Sequence, residues 1–225
     1  MRGRLQLWQP RVGYRFSLDP LLLIGFVAPP FGRLADVCSG CGIVGLGLLS
    51  RDAAATATLV ELQPRLAALA RRNADDNGHG ARVTVENADV NTLGSSHCDL
   101  VVANPPYRLL AEGPASPNPE VATGQHELTL TLAQLTTAMR RLLKPNGRAA
   151  LVYPARRLGE LLATLDGAGL RPLRLRCVHP RAGEPANRIL VEAHKGARGP
   201  LVIDPPLVVR DGDGYSAEAS QLLGD

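Results

Sequence analysis

The chain has 225 residues, 45% of them hydrophobic and 20% charged, and its formal net charge is +4 with a pI of about 9.1. This balance is typical of a globular protein with a sizeable core, and no apolar run approaches the roughly 20 residues that span a bilayer. Four scattered cysteines and an N-terminus without the apolar stretch of a signal peptide favour a reduced, cytoplasmic protein.

The first 32 residues precede any alternation of strands and helices, and we expect them to form an extension packed on the core, with a short helix over residues 19–28. From residue 33 onwards, strand-like apolar runs alternate with helical patterns, which is typical of a parallel α/β sheet. We expect one domain over residues 33–198. The Pro-, Gly- and Asp-rich segment 199–225 is expected to be an irregular tail.

Seven strands are predicted in this domain. They cover residues 33–38, 56–61, 82–87, 98–104, 147–154, 171–178 and 188–195. Only a short polar loop separates the last two, so they are expected to form an antiparallel pair in an otherwise mostly parallel sheet. A long amphipathic helix is predicted over 126–144, with His126 as a helix-start residue.

A glycine-rich turn follows the first predicted strand. Gly40, Gly42 and Gly45 satisfy G-x-G-x-x-G, where glycine permits a tight turn, close approach of the backbone to a ligand and close helix–strand packing. Glu61 ends the second strand about 20 residues later and is placed to accept hydrogen bonds from ribose hydroxyls. The pattern predicts a cofactor that contains adenosine, and it does not separate NAD from S-adenosylmethionine.

Two further features accompany this turn. Asp89 follows the third strand, where it could bind an adenine amine; alternatively it caps a turn or helix. Cys38 and Cys41 form a C-x-x-C, but the sequence has no second such pair to complete a metal site. We therefore expect no metal, and interpret both cysteines as small residues beside a bound ligand, with a redox or metal pair as the alternative.

The sequence Asn104-Pro105-Pro106-Tyr107 follows the fourth strand. The exocyclic amine of a base, or a glutamine amide, is a weak nucleophile because its lone pair is delocalised. Two acceptors aimed at its hydrogens, the Asn104 side-chain oxygen and the Pro105 carbonyl, would favour the positive charge that develops on nitrogen. The prolines stiffen the turn, and Tyr107 can stack on a planar target. The alternative is a purely structural turn.

A second Pro-Pro pair lies in "LVIDPPLVV", residues 201–209. Asp204 could replace asparagine as the acceptor, but Leu207 stands where the stacking aromatic residue is needed. The segment also follows the last predicted strand of the domain and has no glycine turn before it. We expect its prolines to hold an extended segment against the domain.

Taken in order, "DVCSGCGIVG", Glu61, "NADV" and "NPPY" resemble the motifs of class I S-adenosylmethionine-dependent amino-methyltransferases. "QPRVGYRFSLDPLLL" and "VHPRAGEPANRILVEAHKG" extend the resemblance, over most of residues 5–210, to the bacterial tRNA(Val) adenine-N6 methyltransferases. The resemblance implies a Rossmann-like sheet with helices on both faces, S-adenosylmethionine as cofactor, and methylation of an adenine N6 in the anticodon loop of a tRNA.

By position, the resemblance also implies individual site residues. The cofactor contacts would be Asp36, Cys38, Gly40, Gly42, Glu61, Leu62, Asp89, Val90 and Asn104. The target amine would be held by Asn104, Pro105, Pro106 and Tyr107. Tyr14, Phe16 and Asp19 would line or close the cofactor site, or only pack the N-terminal segment. Cys38-Ser39 departs from the family pattern, since many members have a smaller or glycine-rich turn there.

RNA would reach the site across a basic region. Residues 140–198 contain thirteen Lys and Arg against four Asp and Glu, which suits a nucleic acid partner. The candidate phosphate contacts are Arg174, Arg176, Arg181 and Arg188, with Arg156 and Arg157. The alternative is a solvated face that only aids solubility.

Other functions stay open on the sequence. An enzyme with the same turn could methylate an rRNA base or a protein glutamine. The glutamine enzymes usually carry a helical N-terminal domain, and the roughly 35 residues before the glycine turn are too few for one. A dehydrogenase would need a hydride-transfer acid or base near the fourth strand, and none is evident. A non-catalytic RNA-binding module is disfavoured because both motifs are intact. Monomer and homodimer are equally open.

Overall fold

Strands and helices alternate along the chain in the computed structural model, which describes residues 5–11, 17–106 and 130–223. The strands are β1 (Arg33–Val37), β2 (Thr56–Val60), β3 (Val83–Glu86), β4 (Cys98–Ala103), β5 (Leu143–Pro154), β6 (Leu170–Arg181), β7 (Arg188–Lys195), β8 (Val202–Ile203), β9 (Leu207–Asp211) and β10 (Gly214–Tyr215). The α-helices are α1 (Asp19–Phe26), α2 (Ile43–Leu49), α3 (Pro64–Asp76), α4 (Leu132–Leu142), α5 (Leu158–Gly167) and α6 (Ala217–Leu223). None of these helices is long and apolar enough to cross a membrane.

The described strands form one mixed sheet in the order β10-β9-β6-β7-β5-β4-β1-β2-β3, with β8 paired to β6. Strands β1 to β5 are mutually parallel, whereas β7 lies antiparallel between β5 and β6. The predicted α/β fold and its antiparallel last pair are therefore confirmed.

The central strands are buried on both faces because helices cover both faces. Along β4, Leu100 and Val102 belong to the core shared with α1, α2 and α3, while Val101 and Ala103 belong to the core shared with α4 and α5. Successive side chains of a strand point to opposite faces, so a strand covered on both sides needs an uninterrupted apolar sequence. This explains why "LVVA" precedes the Asn-Pro-Pro turn.

The prediction of an irregular tail after residue 198 is wrong. Strand β8 pairs with β6 at Arg174 and Leu175, and β9 continues along the same edge from Val178. Helix α6 then packs on α1, where a Cβ on Gly25 would lie only 2.2 Å from Leu222 Cδ2. The edge of β6 offers backbone donors and acceptors that local composition does not reveal, and the sheet has ten described strands instead of seven.

The boundary between α4 and β5 also differs from the prediction. Helix α4 begins at Leu132 behind a capping box in which Thr131 and Gln134 bond each other's backbone N–H. It ends at Leu142, and β5 starts at once because Leu143 already pairs with Cys98 of β4. The predicted helix end at 144 and strand start at 147 are thus too late. The predictions for Tyr14, Phe16, Tyr107 and His126 lie outside the described residues.

Candidate active site

A cleft opens at the carboxyl ends of the parallel strands. Strand β1 pairs with β2 on one side and β4 on the other, which is the switch point where open α/β sheets bind ligands. Seven of the predicted cofactor contacts line the cleft together: Cys38, Gly40, Glu61, Leu62, Asp89, Val90 and Asn104. A smaller extension of the cleft runs between the glycine turn and Gln9 of the N-terminal segment.

Glu61 joins the end of β2 to the glycine turn. One carboxylate oxygen accepts from the N–H of Gly40 (2.8 Å) and the other from the N–H of Gln63 (2.9 Å). The Asn87 side chain holds the same turn by donating to the carbonyls of Glu61 and Leu62. Both carboxylate oxygens of Glu61 are therefore held in a fixed orientation in the wall of the cleft.

The glycine turn uses backbone conformations that favour glycine. Gly40 and Gly42 have φ values of 56° and 88°, and a Cβ on Gly42 would lie 3.0 Å from Leu59 Cδ1. Cys38 adopts a similar left-handed conformation, with φ of 59°, although it carries a side chain. The backbone at Cys38 thus adopts the left-handed conformation typical of glycine, although the sequence departs from the family pattern at this residue.

Asp36 lies behind the cleft and braces α2 against β1. Its Oδ2 accepts from the N–H of Gly45 across 2.8 Å, while its buried Oδ1 has no hydrogen-bond partner among the described residues. Burial raises the pKa of Asp36 to about 7, the Gly45 hydrogen bond opposes that rise, and the nearby Glu61 adds to it. Asp36 is therefore a carboxyl group that titrates near neutral pH.

The two cysteines of the C-x-x-C are protonated thiols. Burial raises the pKa of Cys38 far above its ordinary value, and burial raises the pKa of Cys41 to about 11. Redox-active C-x-x-C pairs depend on the opposite, a lowered pKa that yields a thiolate. All four cysteines are free, and no group of three or more His, Cys, Asp or Glu in the described residues is placed to hold a metal.

Asp89 caps a turn and also lines the cleft, so its contact with an adenine amine stays a prediction. It lines the cleft, and its Oδ1 accepts from the N–H of Asn91 across 2.9 Å, which caps the short turn Val90–Thr92. Arg141 of α4 supports the same turn by donating to the carbonyl of Val90 across 2.7 Å. The sequence analysis missed Arg141 because nothing in a helical pattern shows which loop a long side chain will reach.

Asn104 stands at the carboxyl end of β4, and its side chain is half-buried. It lines both parts of the cleft, and its amide bonds to none of the described residues. Pro105 is buried beside it, and Pro106 also faces the cleft. Tyr107 lies outside the described residues. The structure thus brings the Asn104 amide into the same cleft as Glu61 and Asp89.

Two of the six candidate RNA-binding arginines hold the C-terminal segment. Arg174 donates to Asp204 Oδ2 (2.7 Å) and to the carbonyl of Phe26. Arg176 forms two parallel bonds to Glu218, at 2.6 and 2.8 Å, and a third to the carbonyl of Pro205. Contact of either residue with RNA stays a prediction, but both already have partners within the fold.

The other four lie at the carboxyl edge of the sheet. Arg188 bonds Asp19 Oδ2 at 3.1 Å, so the structure places Asp19 beside β7, and Asp19 is not among the described residues that line the cleft. Arg181 is exposed at the end of β6, 3.9 Å from Glu184. Arg156, just after β5, is exposed, whereas Arg157 is buried with bonds to Glu160. Their contact with RNA stays a prediction.

Comparisons with known proteins agree with this geometry. Residues 19–113 match the model of the family called Methyltransferase small domain. A protein of Aeromonas hydrophila named tRNA1(Val) (adenine(37)-N6)-methyltransferase is 35% identical over 205 residues, covering 89% of this chain and 85% of the relative. A protein of the same name from Tolumonas auensis is 32% identical over 187 residues, covering 81% and 77%.

Solved structures show the same fold. A crystal structure from Agrobacterium tumefaciens, described as a "predicted O-methyltransferase", superposes with a TM-score of 0.74 at 26% identity and covers 92% of this chain and 95% of that one. A geranyl diphosphate methyltransferase in complex with S-adenosylmethionine has a TM-score of 0.57 at 13% identity, with 78% and 84% covered.

The cleft fits S-adenosylmethionine, which is the cofactor of this chain. The carboxylate oxygens of Glu61 are fixed in the cleft wall, and Leu62, which is 42% exposed, adds apolar surface beside them. Apolar surface with a few fixed polar groups is typical of cofactor sites. We conclude that the chain belongs to the class I S-adenosylmethionine-dependent methyltransferases, in the family whose relatives are named tRNA1(Val) (adenine(37)-N6)-methyltransferase.

Proposed function

We propose that this protein methylates the N6 amine of adenine 37 in tRNA1(Val). The observation that carries the proposal is the Asn104 amide, which has no hydrogen-bond partner among the described residues and lines the same cleft as Glu61 and Asp89. S-adenosylmethionine supplies an electrophilic methyl group when it is bound. The tRNA and the position come from the names of the relatives.

The groups around Asn104 favour an amine over a hydroxyl as the target. A hydroxyl must lose its proton to become a good nucleophile, so its methylation calls for a general base. Among the described residues, the titratable side chains in the cleft wall are Cys38, Glu61 and Asp89; the first is a protonated thiol, and both carboxylates accept backbone hydrogen bonds. An amine needs only acceptors for its hydrogens, which Asn104 Oδ1 and the Pro105 carbonyl provide.

The carboxyl edge of the sheet is also where a tRNA would dock. Arg156, Arg181 and Arg210 are exposed there, and the register of β6 with β9 puts Arg181 opposite Arg210. These cations lie at the same edge as Asn104, as a phosphate backbone leading into the cleft requires. A cytoplasmic location, where tRNA is found, belongs to the same proposal.

The test is methyl transfer from tritiated S-adenosylmethionine to total RNA and to a protein extract from cells that lack the gene. We expect label in the tRNA fraction as N6-methyladenosine at position 37. Label in rRNA, or in protein glutamine, would contradict the substrate that we propose.

Asn104→Ala tests the site itself. We expect kcat to fall by a factor of about 10² to 10³, as when one electrostatic partner of a transition state is removed, while the Kd for S-adenosylmethionine changes little. Asn91→Ala is the matched control, because Asn91 lies two residues after Asp89 and does not line the cleft. Activity of Asn104→Ala near that of the control would refute the acceptor role.

A further inference from the structure

Residues 5–11, the N-terminal strap, lie along one face of helix α3. Asn73 and Asn77 are four residues apart and therefore share that face. Gln6 donates its N–H to Asn77 Oδ1 (3.0 Å) and accepts from Asn77 Nδ2 (2.8 Å). Trp8 donates its N–H to Asn73 Oδ1 (2.7 Å) and accepts from Asn73 Nδ2 (3.1 Å). Each asparagine side chain thus bonds both the N–H and the carbonyl of one strap residue, as the backbone of a neighbouring strand would.

The distance between the two strap residues matches the distance between the two asparagines. Two residues of extended chain rise about 6.7 Å, and four residues of an α-helix rise about 6 Å. Trp8 is fastened further, since its indole N–H donates to Asp76 Oδ2 (2.7 Å) and the Arg72 guanidinium lies 3.8 Å from the ring centroid. The strap is therefore held on α3 by side chains that only this extended conformation can engage.

The two asparagines differ in what else they bind. The second bond of Asn77 Nδ2 goes to the carbonyl of Asn73, within α3 itself (2.8 Å). The second bond of Asn73 Nδ2 goes to the carbonyl of Cys41, in the glycine turn (2.9 Å). Asn73 is fully buried, and its amide uses its oxygen and both hydrogens in these three contacts.

Asn73 therefore links the strap to a wall of the cofactor cleft. Cys41 lies between Gly40 and Gly42, and it lines the extension of the cleft together with Gln9. Gln9 directly follows Trp8, the residue that Asn73 holds. A displacement of the strap would move Gln9 and would leave Asn73 free to rotate away from the Cys41 carbonyl.

We propose that Asn73 is a positioning residue that couples docking of the N-terminal strap to the shape of the glycine turn, so that the turn binds S-adenosylmethionine tightly only while the strap is docked. Coupling of this kind is reciprocal, so the bound cofactor must in turn hold the strap on α3. This proposal concerns cofactor binding and does not depend on which RNA is methylated.

The first test compares Asn73→Ala with Asn77→Ala in the full chain. Both variants lose one asparagine–backbone pair of the strap, and only the first loses the bond to the glycine turn. By isothermal titration we expect the Kd for S-adenosylmethionine to rise about tenfold in Asn73→Ala, the change expected from loss of one buried hydrogen bond, and less than threefold in Asn77→Ala. Equal changes in the two variants, or none in Asn73→Ala, would overturn the proposal.

The second test measures reciprocity by limited trypsin cleavage after Arg11, which is exposed. We expect saturating cofactor to slow this cleavage in the parent protein and in Asn77→Ala, and to have no effect in Asn73→Ala. Protection that is equal in all three proteins would show that strap and turn are independent.

A third variant covers the case that Asn73→Ala does not fold. Trp8→Ala removes a side chain that is 49% exposed and leaves the Asn73–Cys41 bond in place. We expect it to raise the Kd at least threefold by loosening the strap. An unchanged Kd in Trp8→Ala would also overturn the proposal.

Discussion

The N–H of Gly40 donates to Glu61 Oε2 across 2.8 Å, which joins the turn after β1 to the end of β2. Two residues that are 21 positions apart thus form one rigid edge of the cleft. The carboxylate also accepts from Gln63, so its orientation is set before any ligand arrives. Such preorganisation lowers the entropy that is lost on binding.

Glu61→Gln removes the charge and one acceptor oxygen from this edge. A hydrogen bond to a charged group contributes about 1.5 to 3 kcal/mol, so we expect the Kd for S-adenosylmethionine to rise by a factor of about 10 to 100 in a calorimetric titration. Glu86→Gln is the control, because Glu86 ends the neighbouring strand β3 as an exposed residue. Equal affinities for the two variants would contradict a ribose contact by Glu61.

Asp36 makes the stability of the protein depend on pH. Its pKa is raised from 3.8 to about 7, so between these values the folded protein keeps a proton that the unfolded chain releases. The free energy of unfolding therefore falls as pH rises from about 4 to about 7, by about 4 kcal/mol in total at about 1.4 kcal/mol per pKa unit. Below pH 4 and above pH 7 this residue adds no further change.

Asp36→Asn removes this titration and leaves the other groups in place. We expect the stability of the variant relative to the parent, measured by urea unfolding at several pH values without cofactor, to increase steadily between pH 4.5 and 7.5. A difference that stays constant over this range would mean that the pKa of Asp36 is close to its ordinary value.

Gly45 allows α2 to approach the sheet. A Cβ at this position would lie 2.3 Å from Leu59 Cδ2, and Leu59 is fully buried. We expect Gly45→Ala to lower the free energy of unfolding by about 1 to 3 kcal/mol through overpacking. Gly159 in α5 has no atom within 4 Å of such a Cβ, so Gly159→Ala should raise stability by about 0.5 to 1 kcal/mol. Denaturant unfolding of both variants measures the contrast.

The pair of Arg176 and Glu218 joins strand β6 to helix α6, so its contribution to the stability of the protein can be measured. Their two parallel hydrogen bonds predict that Arg176→Ala and Glu218→Ala each lower the melting temperature. The double variant should be less destabilised than the sum of the two, with a coupling of about 1 kcal/mol. Additive effects would show that the pair contributes nothing to stability.

Arg176→Ala and Arg181→Ala together separate a structural arginine from an RNA contact. We expect Arg181→Ala to weaken tRNA binding and to reduce the slope of log affinity against log salt by about one, as loss of one phosphate contact does. Arg176→Ala should leave that slope unchanged, because the Arg176 side chain is only 17% exposed and is paired with Glu218, whereas the Arg181 side chain is 47% exposed. Filter binding over a range of salt concentrations provides the slopes.

Much of the cofactor site follows from local sequence. The glycine turn, Glu61, Asp89 and Asn104 each come directly after a strand, and carboxyl ends of parallel strands meet at one edge of the sheet. Their order along the chain was therefore enough to bring them together. Asn73 does not follow from local sequence, since no pattern shows that the strap and the Cys41 carbonyl are its partners.

The sequence by itself determined the α/β fold, the family and most of the residues that line the cleft. These depend on patterns that repeat locally and on motifs in a set order. Only the tertiary structure decided that the segment after Gly199 extends the sheet, that Arg174 and Arg176 hold it there, and that Asn73 joins the strap to the glycine turn. Those contacts join residues far apart in the chain, and a long polar side chain finds its partner only once the sheet has placed both.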